Sequence, residues 1–158
     1  MKSTYIALIA SFVFGLFIPV SCGSGDNVFK TSLKTAGKAA GVEVPWPHYL
    51  PEGYILDDNI IIENENISIL ISNKTNKIKT DIFWRPSGTI PYRIDGNKPT
   101  IDINGITAQL LVNEENTHII WNWYPEKYKP GLMIIQLYAP NTVPLSELIS
   151  IARSINCD

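Results

Sequence analysis

Two cysteines and two histidines are among the side chains of this chain that could act as nucleophile, general base or soft metal ligand. Cys22 closes an apolar N-terminal run and Cys157 stands one residue from the C-terminus, whereas His48 lies among prolines and His118 opens a β-branched run. A thiol at a frayed end lacks the preorganisation that nucleophilic catalysis requires. Two histidines so far apart would form a metal site only if carboxylates converged on them. Asp57, Asp58, Glu63 and Glu65, or Glu114 and Glu115, could gather a hard cation, yet none has the alternating spacing of a calcium loop. The patterns G-x-x-x-x-G-K-[ST], G-x-S-x-G, H-E-x-x-H and C-x-x-C are absent. The expectation is a noncatalytic chain, not an enzyme, with no metal and no cofactor.

The aromatic residues are better candidates. Strand alternation over 117–124 sends Ile119, Trp121 and Trp123 to one face and His118, Ile120, Asn122 and Tyr124 to the other. Trp84, with Ile82, marks a similar face on a neighbouring run. Trp84, Trp121, Trp123 and Tyr124 are therefore the candidate ligand or partner residues. If a helix covers one face of the sheet, the other keeps more apolar and aromatic area than a solvated face needs. Core packing by the terminal helices is the competing explanation of the same residues.

What surrounds Cys22 decides its chemistry. Lys2 precedes the apolar run Tyr5 to Val20, and Ser21-Cys22-Gly23-Ser24-Gly25 follows it, which is the order of a charged n-region, an h-region and a small-residue exit. As a helix those sixteen residues reach only about 24 Å, short of the roughly 30 Å hydrocarbon core. An export signal fits better than a permanent span. Pro19-Val20-Ser21-Cys22 resembles the lipobox at which bacterial lipoproteins are diacylated and cut. Val20 and Ser21 suit that pattern, and Pro19 stands where Leu is usual. The organisation expected is a lipoprotein-type signal peptide over 1–21, a linker over 22–27 and one domain over 28–158. Cys22 would carry the lipid, palmitate among its acyl chains, and hold the domain on the bacterial cell membrane outside the cytoplasm. Two alternatives stay open. Ordinary cleavage within Ser21 to Gly25 would discard Cys22, and cleavage further upstream would leave Cys22 able to form a disulfide with Cys157.

Within the mature chain, Phe29, Leu33, Ala36 and Ala40 fall on one face of a short helix over 28–41, with Lys30, Lys34 and Lys38 on another and Gly41 as its stop. The lysine stripe reads as a solvated face, or as a contact with anionic headgroups near the anchor. Pro45, Pro47 and Pro51 then exclude helix. Pro51 and Gly53 suit a turn, with Tyr49, Leu50 and Tyr54 anchoring it to a sheet. Short β-branched or aromatic runs follow at 55–62, 67–71, 80–85, 90–94, 100–103, 106–112, 117–124 and 132–139, separated by turn residues. Asn104-Gly105 is the strongest hairpin signal among them. Leu145, Leu148, Ile149, Ala152 and Ile155 recur at helical spacing after Pro144, a favoured first helical residue. Asn66-Ile67-Ser68 and Asn73-Lys74-Thr75 satisfy the glycosylation sequon, which matters only in a glycosylating host. The 13 basic and 15 acidic side chains form no basic cluster, so nucleic acid is not an expected partner.

These elements predict an α+β fold: a curved antiparallel β-sheet of about 6–8 strands in meander order, with a short N-terminal helix and a C-terminal helix packed on one face. Pro47-His48-Tyr49-Leu50-Pro51-Glu52-Gly53-Tyr54, Ile119-Ile120-Trp121 and Leu145 to Ile155 resemble three stretches of a bacterial domain-of-unknown-function family found in envelope lipoproteins and at the extracellular ends of anti-sigma factors. The resemblance runs in order from about Leu33 to Ile155. It implies an exported, noncatalytic domain of undetermined ligand. Together with the aromatic sheet face, the expectation is a binding or sensory module whose uncovered face contacts an envelope protein or a lipid. The alternative, suggested by overall layout, is a carrier of lipid or another hydrophobic ligand, of the half-barrel lipoprotein type.

Overall fold

Alternating apolar residues build the centre of the molecule. In the computed structural model, which describes residues 32–38, 41–57, 60–63, 65–85, 90–124 and 131–156, the strands are β1 (Trp46–Pro47), β2 (Ile55–Leu56), β3 (Ile61–Glu63), β4 (Asn66–Ser72), β5 (Lys77–Arg85), β6 (Thr100–Ile103), β7 (Ile106–Val112), β8 (Asn116–Trp123), β9 (Leu132–Pro140) and β10 (Ile155–Asn156). Helix α1 covers residues 32–38 and α2 Leu145–Ser154. The α+β class and the two-helix arrangement agree with the sequence-based expectation. Residues 28–31 and 39–40 of the expected N-terminal helix, the signal segment with Cys22, and Cys157 lie outside the described residues.

β2 to β9 form one open antiparallel sheet of eight strands in the order β2-β4-β5-β9-β8-β7-β6, with β3 beside β4. The meander expectation holds for β6 to β9 and fails at β5, which pairs with β9 rather than β6. The chain leaving β5 must therefore cross the sheet to reach its far edge. Residues 90–99 make that crossing, so the strand expected at 90–94 is absent. The run expected over 55–62 is likewise two short strands, both along the edge of β4.

On one face, Ile67, Ile69, Ile71, Ile78, Ile82, Ile119, Met133, Ile135 and Leu137 are buried, and Leu148, Ile151 and Ala152 of α2 pack onto them. Burying each of the larger of these side chains is worth roughly 1.5–3 kcal/mol, and this term fixes α2 on the sheet. Pro144 occupies the cap position (φ −56°, ψ 134°) rather than the first helical turn, and the helix stops where Ile155 turns extended to pair with Pro47. At the β6–β7 turn, Asn104 (φ 52°) and Gly105 (φ 84°) both take the left-handed conformation that a two-residue hairpin needs. Gly53 (φ 81°) allows the turn closed by the Tyr54 N–H on the Pro51 carbonyl (3.1 Å). Leu50 and Tyr54 pack on the core, while Tyr49 is exposed.

Candidate binding surfaces

The strand register puts Trp84, Met133 and Trp123 in one row across β5, β9 and β8, with Ile82, Ile135 and Trp121 in the next. All three tryptophans thus share the face that carries α2, whereas the expected aromatic surplus belonged to the face opposite the helix. Trp121 is buried at 2% exposure and acts as core, while Trp123 and Trp84 are partly exposed. Tyr124 follows β8 and is 54% exposed. Among the described residues the buried indole N–H of Trp84 has no hydrogen-bond partner, an unmet donor of the kind that native structures usually pair.

Where α2 ends, its last turn meets the tip of the β6–β7 hairpin. The Asn104 side-chain amide donates to the Arg153 carbonyl (2.7 Å), and the Arg153 guanidinium donates to the Asp102 carbonyl (3.1 Å from Nη2). These contacts close one side of a cleft of about 250 Å³ lined by Ile103, Ile106, Trp121, Trp123, Ile135 and Ile155, with Asn104 at its rim. Two of the four sequence-predicted aromatics therefore line one cleft. Trp84 stands two strands away on the same face, and Tyr124 lies just past the end of β8.

The opposite face is not bare. Asn122 holds the crossing segment through both amide atoms: the Tyr92 N–H donates to its Oδ1 and its Nδ2 donates to the Tyr92 carbonyl, each at 2.8 Å. Gln109, fully buried, does the same, accepting from the Asp95 N–H (2.6 Å) and donating to the Pro99 carbonyl (2.8 Å). Two carboxamides thus take the place of a neighbouring strand and fasten residues 90–99 as a strap across β8 and β7. Sequence reasoning missed both. The available signal was Gln109 set between Ala108 and Leu110, and Asn122 set between Trp121 and Trp123.

Beside the strap the face is mixed: half-buried Phe83, Ile134 and Leu70 share it with polar groups. Ser68 donates to Asp81, which is also paired with Lys79 (3.0 Å), and Gln136 bonds Nδ1 of His118 (2.9 Å) while Tyr138 meets the same ring edge-on. Burial pushes the His118 imidazole below its ordinary pKa. A neutral ring then accepts from the Gln136 amide, and that partner, an amide, cannot supply the carboxylate of an acid–base pair. His118 also borders an open trough of about 510 Å³ at the β7 edge, with Lys98, Pro99, Leu111, Val112 and Asn113. His48 stacks on Trp46 with ring centroids 4.3 Å apart. Among the described residues no group of three or more His, Cys, Asp or Glu side chains could hold a metal ion. The sequon residue Asn73 uses its side-chain oxygen to close its own turn, accepting from the backbone of Thr75 (2.9 Å) and Asn76 (2.6 Å). No described helix is long and apolar enough to cross a membrane.

Residues 44–155 match the family model described as a domain of unknown function, DUF4367. No functionally curated protein matches the sequence. A crystal structure of a protein from Bacteroides thetaiotaomicron is similar over 69% of this chain and 43% of that one, at 12% identity and a TM-score of 0.42. This chain thus spans less than half of that protein's length.

Proposed function

Since the match over residues 44–155 makes this chain a member of the DUF4367 family, we propose on that premise that it is an exported, lipid-anchored, noncatalytic binding domain of the bacterial envelope. Cys22 carries the anchor, in keeping with the n-region, h-region and lipobox-like order of residues 2–25. The resemblance to domains of envelope lipoproteins and anti-sigma factors supports the same location and a binding or sensory role.

The observation that carries the binding role is the tryptophan-lined cleft at the end of α2. Its volume of about 250 Å³ falls below the roughly 300–1,000 Å³ of sites that enclose a small molecule. With Asn104 among its walls, it suits one partly polar group of a larger envelope component, inserted from outside. That size favours a surface binder over a carrier that encloses a whole acyl chain. A photo-crosslinking residue in place of Trp123, expressed in the bacterial host, tests this. The expected result is an adduct with one envelope component that disappears when Ile106→Asp places a charge in the cleft. Absence of any adduct, in a variant that keeps the parent's melting profile, would remove the binding role.

A further inference from the structure

All four tryptophans of the chain gather at one pole of the domain. Trp84 and Trp123 lie at the ends of β5 and β8, and Trp121 stands two residues inside. Trp46 pairs with Asn156 just beyond α2. The same pole holds the Asn104-Gly105 turn and Tyr49, whose carbonyl accepts from Ser154 at the end of α2. Among the described residues its exposed side chains include Tyr49 (46%), Tyr124 (54%) and Ile90 (84%), together with the carboxylates of Glu63, Glu65 and Asp102.

The other pole is built from asparagine turns. Asn73 closes the β4–β5 turn, Asn113 closes the β7–β8 turn by accepting from Glu115 and Asn116, and Asn141 donates to the Asn113 carbonyl. The indoles and exposed tyrosines thus lie at one end of the strands and the hydrogen-bonded amides at the other, where Ile55, Val112 and Leu145 are also exposed.

The chain reaches this domain at the aromatic end. α1 is tied to the segment that leads into β1, through the Val42 N–H on the Gly37 carbonyl (2.9 Å), and Val44 lies two residues before Trp46. Between Cys22 and Ser32 there are ten residue steps, at most roughly 35 Å when fully extended. A domain tethered at Cys22 therefore cannot move far from the bilayer, and the end nearest its tether is the one rich in Trp and Tyr. Those two residue types concentrate at membrane–water interfaces, where an apolar ring and a polar tip are both satisfied. Lys34 and Lys38, exposed on α1 at the tethered end, suit anionic headgroups.

We propose that the aromatic pole, Tyr49, Ile90, Trp123 and Tyr124, is a membrane-surface contact that seats the domain on the outer face of the lipid bilayer with its asparagine turns pointing away. This rests on the lipid anchor proposed above and names the bilayer as the component that the cleft meets.

The test uses the full chain purified from host membranes with whatever lipid it carries. It is reconstituted into phosphatidylethanolamine–phosphatidylglycerol vesicles whose acyl chains are brominated near the glycerol, and its mass is measured on the same sample. The expected result is an acylated mass and a loss of tryptophan emission relative to unbrominated vesicles. Most of that loss should vanish in Trp123→Phe, and it should shrink in Tyr124→Asp, a change at an exposed side chain that leaves the core intact. An acylated mass with unquenched emission overturns the seating and leaves the anchor standing. Quenching that neither variant alters overturns this orientation. A mass without acyl groups removes the anchor, and the seating with it.

Discussion

The strap is the feature whose energetics follow most directly from the geometry. Replacing Gln109 by Leu keeps nearly the same volume in a fully buried site and removes both bonds to the strap, at 2.6 and 2.8 Å. The Asp95 N–H then loses its partner, whereas the Pro99 carbonyl keeps the Leu110 N–H at 2.9 Å. A donor left unpaired there costs about 1–3 kcal/mol if the strap stays in place. If the strap lifts instead, water satisfies that N–H and the loss becomes that of the strap's own packing. For a domain of this size a 2 kcal/mol loss lowers the melting temperature by roughly 5–10 °C. Thermal unfolding reads the loss, and hydrogen exchange at the Tyr92 and Asp95 amides reads the detachment. Asn122→Leu removes the other clamp, and because both hold one segment, the double variant should lose less than the two single losses combined. Full additivity, or unchanged exchange at Asp95 in Gln109→Leu, would refute the clamp.

Three further outcomes follow from single positions. Gly37→Ala gains about 1 kcal/mol of helix propensity, yet its new Cβ would lie 2.4 Å from the backbone oxygen of Val42. A clash with backbone costs about 1–3 kcal/mol, so the variant should be less stable than the parent in urea unfolding. His118 has a folded pKa below its unfolded value because it is desolvated. The unfolded chain therefore binds more protons between the two values, and stability that is full above about pH 6.5 falls as pH drops toward the folded value. His118→Gln should flatten that part of a melting-temperature profile, and an unchanged slope would count against it. Asn104→Ala loses the bond to the Arg153 carbonyl and strains a residue held at φ 52°. A decrease of about 1–2 kcal/mol in unfolding free energy is expected.

How far these features were legible in the residues depends on whether they are local. Short β-branched or aromatic runs over 117–124 and 132–139 marked β8 and β9, and the helical spacing from Leu145 to Ile155 marked α2. Asn104-Gly105 announced its turn because two positive φ values leave little other choice of residues. Residues 90–94 looked like a strand for the same local reason. The partners of that segment are two side-chain amides: Asn122 is 30 positions from Tyr92, and Gln109 is 14 from Asp95. No window along the chain contains that information. The pairing of β5 with β9 was equally hidden, and it is the cause of the strap. The aromatics at 84, 121 and 123 were singled out from composition and alternation, and the side of the sheet they share was correctly grouped. That α2 would lie on that same side, and end in time to leave a cleft, depended on the Arg153 and Asn104 contacts at its last turn.

The account turns on Cys22, since location, tether and membrane contact all follow from it. Native mass spectrometry of the chain purified from its host's membranes reads that residue directly. A mass beginning at Cys22 with a diacylglycerol increment is the predicted result. A chain that begins after Cys22, or retains it without acyl groups, would contradict the account.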